Sequence, residues 1–268
     1  MSEPWNRVVY EVDGTNLGTA PLRGLVTGDH AVIVLKGLLS KEVMAANKER
    51  LLPLRHSAQV TRYVNGSLTL IGLFLVKYLS RLDDYFKDAK AQDDKIAALG
   101  IDLAGQARKR IRETFGMRRF EVATEPDGRP YASSNVRICS NDIDTPLHND
   151  NIMRDGKSYP IALANLKHQL SCVVCLQECD EGGELSIYRK PWEPGDEVHK
   201  IPGGLGYDLN VVANKAHHRF KPQSGDVYLL NPTYYHAVER VSGSSDRVTL
   251  GFFFGFYDDS LTEGVTWV

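Results

Sequence analysis

Long apolar runs and cysteines are scarce in this sequence. Its best candidate for a membrane span, LTLIGLFLV at 68–76, is about half the length that crosses a bilayer, so we predict a buried helix there instead. The first residues lack a basic segment followed by an apolar one, which predicts no secretory signal and a cytoplasmic location. Four cysteines in 268 residues provide no disulfide framework. A strand over CVVCLQEC (172–179) would turn Cys172 and Cys175 to opposite faces, which favours buried thiols over a metal or redox site.

A strong charge of either sign is also absent. The formal net charge is −2 at pH 7, which predicts no bulk attraction to nucleic acid or to an anionic membrane. One local exception, RKRIRETFGMRR at 108–119, is basic, and a solvated helix face is favoured there over a phosphate-binding strip. We therefore expect a small-molecule substrate as the partner, and homodimerisation is left open. With 42% hydrophobic and 25% charged residues, the chain has the composition of an ordered globular protein.

The two halves of the chain differ in their local patterns. Before residue 118, a strand signal at 30–37 is followed by helical stretches, which are SKEVMAANKERLLPLR with its serine N-cap, YFKDAKAQDDKIAALG and IDLAGQARKRIRETFG. After it, runs bounded by Gly, Pro, Asp or Ser predict strands in RRFEVATEP, NVRICS, QLSCVVCLQE, GELSIYRK, GDVYLLNP, YYHAVERVS and RVTLGFFFGFY. This spacing is typical of a sandwich or double-sheet barrel.

One domain over 1–268 is predicted, because no Pro/Ser-rich linker separates the halves. Its fold is α+β but mainly β. Residues 1–117 would form a helical N-terminal extension packed against a β core at 118–257, and 258–268 would form a C-terminal tail.

The candidate chemistry begins in PLHNDN at 146–151. If this stretch is extended, His148 and Asp150 lie on one face, since residues i and i+2 of a strand share a side. A lone HxD is common by chance. Two strand patterns about 90 residues later, joined by SGSSD, add His236 and Arg247. Two histidines and one carboxylate form the facial triad that holds iron(II), and an arginine offers a two-pronged fork to a carboxylate.

The ordered set of HxD, a distal histidine and an arginine eleven residues beyond it resembles the iron(II)/2-oxoglutarate-dependent oxygenases, whose fold is the double-stranded β-helix, or jelly roll. The resemblance covers about 130–256, and CLQECDEGGELSIY and KPQSGDVYLLNPTYYHAVERV also look like passages of that family. It implies that His148, Asp150 and His236 ligate Fe(II) and that Arg247 pairs with the distal carboxylate of 2-oxoglutarate. The keto-acid end of that co-substrate and O2 would take the open positions.

The reaction type depends on the carboxylate. In the family that this sequence resembles, halogenases carry Gly or Ala in place of the carboxylate ligand, which frees a coordination position on the metal for chloride. This sequence keeps Asp150. Hydroxylation is therefore favoured, with desaturation, cyclisation and epimerisation left open. The helical N-terminal half, YVNGSLT, GGELSIY and HxD are similar to bacterial biosynthetic oxygenases that hydroxylate amino acids or their derivatives, a group that includes carrier-free halogenases. The alternative from another class is a non-catalytic metal-binding jelly-roll module, which has no need for Arg247.

Two further residues are candidates for contacts with 2-oxoglutarate. Arg240 shares a face with His236 by parity and competes with Arg247, although its plainer interpretation is a salt bridge with an acidic neighbour. The spacing to the distal histidine favours Arg247. Thr249 shares the face of Arg247 and would be able to hydrogen-bond the same carboxylate, but a packing role is common for a strand threonine.

Four residues flanking the HxD motif are candidate substrate contacts. Asn135 and Arg137 share one face of the preceding strand and, if inward, would hold a polar or anionic substrate or the co-substrate. Structural hydrogen bonding is the alternative for both. Asn151 and Arg154 follow the motif directly. In RYVNGSLTLIGLFLVKYL (62–79), an Asn-Gly turn precedes the predicted helix, for which a packing role is favoured over a lid.

Overall fold

The N-terminal half contributes both helices and strands. The computed structural model describes residues 5–268, apart from the side chain of residue 57. The first elements are β1 (Arg7–Glu11), α1 (Ala20–Thr27), β2 (Val32–Lys36), α2 (Lys41–Leu51), β3 (Gln59–Tyr63), β4 (Gly66–Ile71), α3 (Leu82–Ala98) and α4 (Leu103–Thr114). The predicted serine N-cap is present, because the Ser40 hydroxyl accepts a hydrogen bond from the Val43 N–H. Across 5–268, no helix is long and apolar enough to span a bilayer.

From residue 119 onward the chain is mainly β-strand. Its elements are β5 (Arg119–Val122), β6 (Asn135–Cys139), β7 (Thr145–His148), α5 (Ile152–Asp155), β8 (His168–Gln177), β9 (Leu185–Pro191), β10 (His217–Phe220), β11 (Val227–Leu230), β12 (Tyr234–Val238), β13 (Arg247–Phe256) and β14 (Glu263–Trp267). The seven strands predicted in this half are confirmed as β5, β6, β8, β9, β11, β12 and β13.

Two sheets form the jelly roll that the resemblance implied. The larger sheet has the strand order β1-β2-β11-β8-β13-β6-β4-β3, with β14 pairing to both β13 and β5, and the smaller sheet has the order β10-β9-β12-β7. Between β6 and β13 the chain passes repeatedly from one sheet to the other, which is the winding of a double-stranded β-helix. The mainly-β fold with a jelly-roll core is confirmed.

Three predicted elements differ from the structure. The stretch at 68–76 is not a helix: β4 pairs with both β3 and β6, and a short 3-10 turn follows at Leu75–Tyr78. Ladder hydrogen bonds on both edges satisfy the backbone of β4, which outweighs the helical interpretation of its apolar run. Residues 1–117 are therefore not only helical, since β1–β4 extend the larger sheet. The predicted tail at 258–268 contains β14, which pairs with β13 and runs parallel to β5.

Helices cover one face of the larger sheet and leave its other face for a cavity. Leu22 of α1, Tyr85 of α3 and Ile111 of α4 are fully buried in one apolar cluster, which also contains Leu250 and Phe254 of β13. Each fully buried side chain of this kind stabilises the fold by about 1.5–3 kcal/mol. Because side chains alternate along a strand, the odd-numbered residues of β13 point the other way, between the two sheets.

Candidate active site

Three side chains meet in the space between the sheets. His148 ends β7, and His236 lies directly opposite it in the register of β12, while Asp150 follows two residues after His148. The imidazole Nε2 atoms of His148 and His236 lie 3.8 and 3.9 Å from Asp150 Oδ2. One ligand atom from each residue lies within 4.8 Å of the other two, so a single ion can contact all three.

The hydrogen bonds of both histidines suit metal binding. His148 Nδ1 lies 2.8 Å from the Pro146 carbonyl oxygen, and His236 Nδ1 lies 2.9 Å from that of Tyr234. A carbonyl only accepts, so Nδ1 donates in both rings and Nε2, on the side of Asp150, is the nitrogen available to a metal. Burial, with His148 beside it, lowers the pKa of His236 to about 3, which keeps this imidazole neutral near pH 7. Two imidazoles that present Nε2 and a carboxylate fit a divalent ion such as Fe(II).

A cavity extends from the triad along the inner face of β13. It encloses about 660 Å³ of space that is partly open to solvent. Arg247, Thr249, Gly251 and Phe253 line it in succession, so one end is cationic and the other aromatic. On the neighbouring strand β6, Cys139, Arg137 and Asn135 pair in register with the first three of these residues, respectively.

Arg247 forms the cationic end of the cavity. The residue is only 5% exposed, and its Nη2 donates to the Tyr228 hydroxyl at 2.9 Å. A Cβ at Gly183 would lie 3.0 Å from Arg247 Cδ and 2.5 Å from Cys179 Sγ, so glycine at this turn makes room for the arginine. A buried guanidinium with one prong fixed by a hydroxyl can still bind a carboxylate through its other N–H groups.

Arg137 provides a second guanidinium in the same cavity. Its Cζ lies 4.7 Å from the centre of the Phe74 ring, and within 5–268 its buried Nε has no hydrogen-bond partner. Burial lowers the pKa of Arg137, and the nearby Asp150 carboxylate opposes that shift. Asn135 donates from Nδ2 to the Leu73 carbonyl at 3.0 Å, whereas its buried Oδ1 is unpaired among the described residues.

Family membership follows from comparison with known proteins. The family described as carrier-protein-independent halogenase WelO5 matches residues 11–262. The chain belongs to this family.

Characterised relatives of this WelO5 family member include a hydroxylase. The chain is 28% identical over 175 residues to the L-gamma-glutamyl-L-propargylglycine hydroxylase of Streptantibioticus cattleyicolor, which covers 65% of this chain and 63% of the hydroxylase. It thus spans just under two thirds of that relative. It is also 23% identical over 192 residues to the leucinostatins biosynthesis cluster protein S of Purpureocillium lilacinum, with 70% of this chain and 76% of that protein covered.

Solved structures share the fold. The chain superposes with a TM-score of 0.61 and 16% identity on an N-substituted L-amino acid dioxygenase from Burkholderia ambifaria, with 93% and 91% of the two chains covered. The epimerase SnoN from nogalamycin biosynthesis gives a TM-score of 0.52 and 13% identity, with coverages of 87% and 82%. At these identities the likeness establishes the jelly-roll architecture of the WelO5 family member.

Arg240 lies outside the cavity. Its side chain is 63% exposed, and its Nη2 lies 3.9 Å from Asp144 Oδ2, which is the salt bridge considered as its plainer interpretation. β12 ends at Val238, so the parity that placed Arg240 beside His236 does not extend to it. Among the two rival arginines, the structure places only Arg247 on the cavity wall, and Thr249 lies beside it there.

Asn151 and Arg154 contact their neighbours rather than the central cavity. Asn151 caps α5, because its Oδ1 accepts from the Arg154 N–H. The Arg154 guanidinium pairs with Asp155 at 2.6 Å, donates to Asn149 Oδ1 at 2.7 Å and stacks over the Trp192 ring at 4.7 Å. Arg154 thus holds the side chain of Asn149, the middle residue of the HxD motif, in place.

Two further side chains were missed in the sequence. Tyr228 binds Arg247, and its inward direction could have been inferred from alternation along VYLL, where Val227 and Leu229 join the opposite, helix-covered core. The role of Asn149, by contrast, depends on a contact with Arg154 that no local pattern signals.

Proposed function

We propose that this protein is an iron(II)- and 2-oxoglutarate-dependent dioxygenase that hydroxylates an unactivated C–H bond of a small polar metabolite. We propose an amino acid or amino-acid derivative in a biosynthetic pathway as its substrate. The observation that carries this proposal is the Asp150 carboxylate beside the Nε2 atoms of His148 and His236. The likeness to a characterised hydroxylase supports it.

Asp150 favours hydroxylation over halogenation, although the family bears the name of a halogenase. A halide needs a position on the metal that no protein ligand occupies. Asp150 Oδ2 lies on the same side as both imidazoles, where it supplies the third ligand of a facial triad. With that position filled, oxygen rather than halide transfer is the outcome we propose.

The other cavity residues suit a dicarboxylic co-substrate. Arg247 would bind the distal carboxylate of 2-oxoglutarate, with Tyr228 holding the guanidinium in place. Arg137 pairs with Thr249, which is two residues nearer the aromatic end of the cavity than Arg247. Its guanidinium adds a second positive charge, which would attract the keto-acid group of 2-oxoglutarate. Iron, when bound, would supply the activation of O2 that couples decarboxylation of 2-oxoglutarate to oxidation of the substrate. Apolar side chains such as Val173, Leu185 and Leu230 also line the cavity and would limit the access of water to that region.

The test is a turnover assay with defined products. The purified protein with Fe(II), 2-oxoglutarate and O2 is screened against amino acids and their acylated derivatives, and succinate is quantified. Mass spectrometry should show a gain of one oxygen, whereas a loss of two hydrogens would indicate desaturation or cyclisation. Exchange of oxygen for a halide in the product would contradict the proposed reaction.

Asp150→Ala should abolish product formation because it removes one of the three ligands. The matched control is Asp144→Ala, which removes a partly exposed carboxylate just before β7 that lies 3.9 Å from the exposed Arg240 guanidinium. Equal loss in both variants, or full activity in Asp150→Ala, would remove the triad from the mechanism. Binding of metal without any 2-oxoglutarate turnover would favour the non-catalytic jelly-roll module.

A further inference from the structure

The Asp150 carboxylate is positioned by the backbone that carries it. Its Oδ2 lies 3.8 and 3.9 Å from the Nε2 atoms of His148 and His236, which is beyond hydrogen-bond distance. Across residues 5–268, no N–H or O–H group donates a hydrogen bond to this carboxylate. Each imidazole, by contrast, is fixed through its own Nδ1. The place of the third candidate ligand therefore depends on how firmly the chain around residue 150 is held.

Two hydrogen bonds hold that stretch of chain. The Asp150 N–H donates to the Pro232 carbonyl at 2.9 Å, and the Ile152 N–H donates to Gln169 Oε1 at 2.8 Å. The first bond connects Asp150 to the loop that leads into β12, which carries His236. The acceptor of the second bond is a side chain. A substitution at one position can therefore remove the second bond and leave every backbone group in place.

Gln169 lies on a rigid part of the fold. It belongs to β8, where it pairs with Gly255 of β13, and only 3% of the residue is exposed. Gln169 and Asp150 line the same small cleft beside the central cavity. Ile152 begins α5 and is buried, so its N–H has no acceptor within the helix and needs a partner from elsewhere. The Gln169 side chain supplies that partner from the sheet.

We propose that Gln169 is a positioning residue of the metal site. Its Oε1 fixes the Ile152 N–H, and this bond holds the Asp150 carboxylate beside the two imidazoles. Without the acceptor, the turn after β7 gains conformational freedom, and the carboxylate spends less time where a shared ion needs it. The inference rests on the proposed function, because it concerns the same triad, and it adds a residue that the HxD motif does not contain.

The first test measures metal affinity, which requires neither 2-oxoglutarate nor turnover. Metal-free protein is titrated with Ni(II) by calorimetry, because Ni(II) binds imidazole-containing sites more tightly than Fe(II) does. Gln169→Met keeps an unbranched side chain but lacks the amide oxygen. It should bind Ni(II) about tenfold more weakly, since loss of a group that orients a ligand typically lowers metal affinity about 10- to 100-fold.

Gln169→Glu is the conservative variant, because it keeps an oxygen that accepts from the Ile152 N–H. It should bind Ni(II) at least as tightly as the wild type. Thermal unfolding checks that both variants are folded. Wild-type affinity in Gln169→Met, or an equal loss in Gln169→Met and Gln169→Glu, would overturn the proposal.

A double variant tests whether Gln169 acts through Asp150. In the Asp150→Ala background only the two imidazoles of the triad remain, so Gln169→Met should change the Ni(II) affinity less than about twofold. The matched control is Gln177→Met in the same strand, whose amide donates to the Asp246 carbonyl at 2.9 Å and which should bind Ni(II) like the wild type. A tenfold loss from Gln169→Met in the Asp150→Ala background, or from Gln177→Met, would refute a positioning role.

Hydrogen exchange on the unaltered protein keeps the proposal testable if Gln169→Met does not fold. The Ile152 amide should exchange far more slowly than the same amide in an unfolded chain, because its N–H is bonded to a side chain anchored in the sheet. Exchange at the unfolded rate would show that the bond is not made and would overturn the proposal.

The same titrations separate the two levels of inference. If wild type and Asp150→Ala bind Ni(II) equally, the triad is refuted, and the proposed function with it. If Asp150→Ala binds Ni(II) more weakly than the wild type but Gln169→Met does not, only the role of Gln169 is refuted.

Discussion

Replacing Arg247 with alanine should weaken 2-oxoglutarate binding more than any surface substitution. Arg247 is only 5% exposed, so a carboxylate bound to its guanidinium would be removed from water together with it. Removing one partner of a buried, hydrogen-bonded charge pair costs about 2–5 kcal/mol. Because about 1.4 kcal/mol corresponds to a factor of ten, the dissociation constant should rise about 30-fold to a few thousand-fold. Arg247→Lys keeps the charge but loses the fork, and should fall between wild type and alanine.

The assay is anaerobic titration of the Fe(II)-loaded protein with 2-oxoglutarate, read by calorimetry. Arg240→Ala is the matched control, since it removes the same side chain from a position where it is 63% exposed and pairs only at 3.9 Å. Exposed pairs contribute about 0–1 kcal/mol to stability, and Arg240 does not line the cavity, so the control should change the affinity less than twofold. A large loss in Arg240→Ala with none in Arg247→Ala would refute the assignment of the co-substrate anchor.

Three further predictions concern stability. Asp196→Ala should destabilise the protein by about 1–3 kcal/mol in chemical unfolding, because it removes the carboxylate 2.9 Å from the buried Lys190 ammonium and leaves Glu193, at 3.3 Å, as the carboxylate that pairs with it. Burial acts to raise the pKa of Asp196, but hydrogen bonds to its carboxylate lower it overall. This contribution is therefore full above the unfolded pKa of about 4 and is lost as the pH falls through the lower folded value. Gly183→Ala should lower the melting temperature, because its φ is +72° and a Cβ would lie 2.5 Å from the Cys179 sulfur. Phe254→Ala should cost about 3–5 kcal/mol in the same unfolding assay, because the ring is fully buried. An unchanged unfolding curve in any of these variants would contradict the corresponding contact.

Local patterns were sufficient for the strands whose partners lie in the jelly roll. Alternation and nearby turn residues predicted β6, β8, β9, β11, β12 and β13, because Gly, Pro, Asp or Ser lies close to at least one end of each. Elements whose identity depends on distant partners could not be predicted. β4 is apolar enough for a helix and becomes a strand by pairing with β6, while β14 is held by β13 and β5.

The candidate site shows the same division. The HxD spacing placed His148 and Asp150 together by parity alone, but the alignment of His236 with His148 depends on the register of two strands far apart in sequence. Parity failed for Arg240 because the strand had already ended.

The inward-facing residues of β13 hold the two ends of the cavity at a fixed separation. Its backbone sets the distance between the arginine at one end and the phenylalanine at the other, and the residues between them alternate with side chains anchored under the helices. In the proposed enzyme, a substitution at Phe253 would therefore change the shape of the cavity without moving the arginine that anchors the keto-diacid. The two ends of the cavity can thus be altered independently of each other.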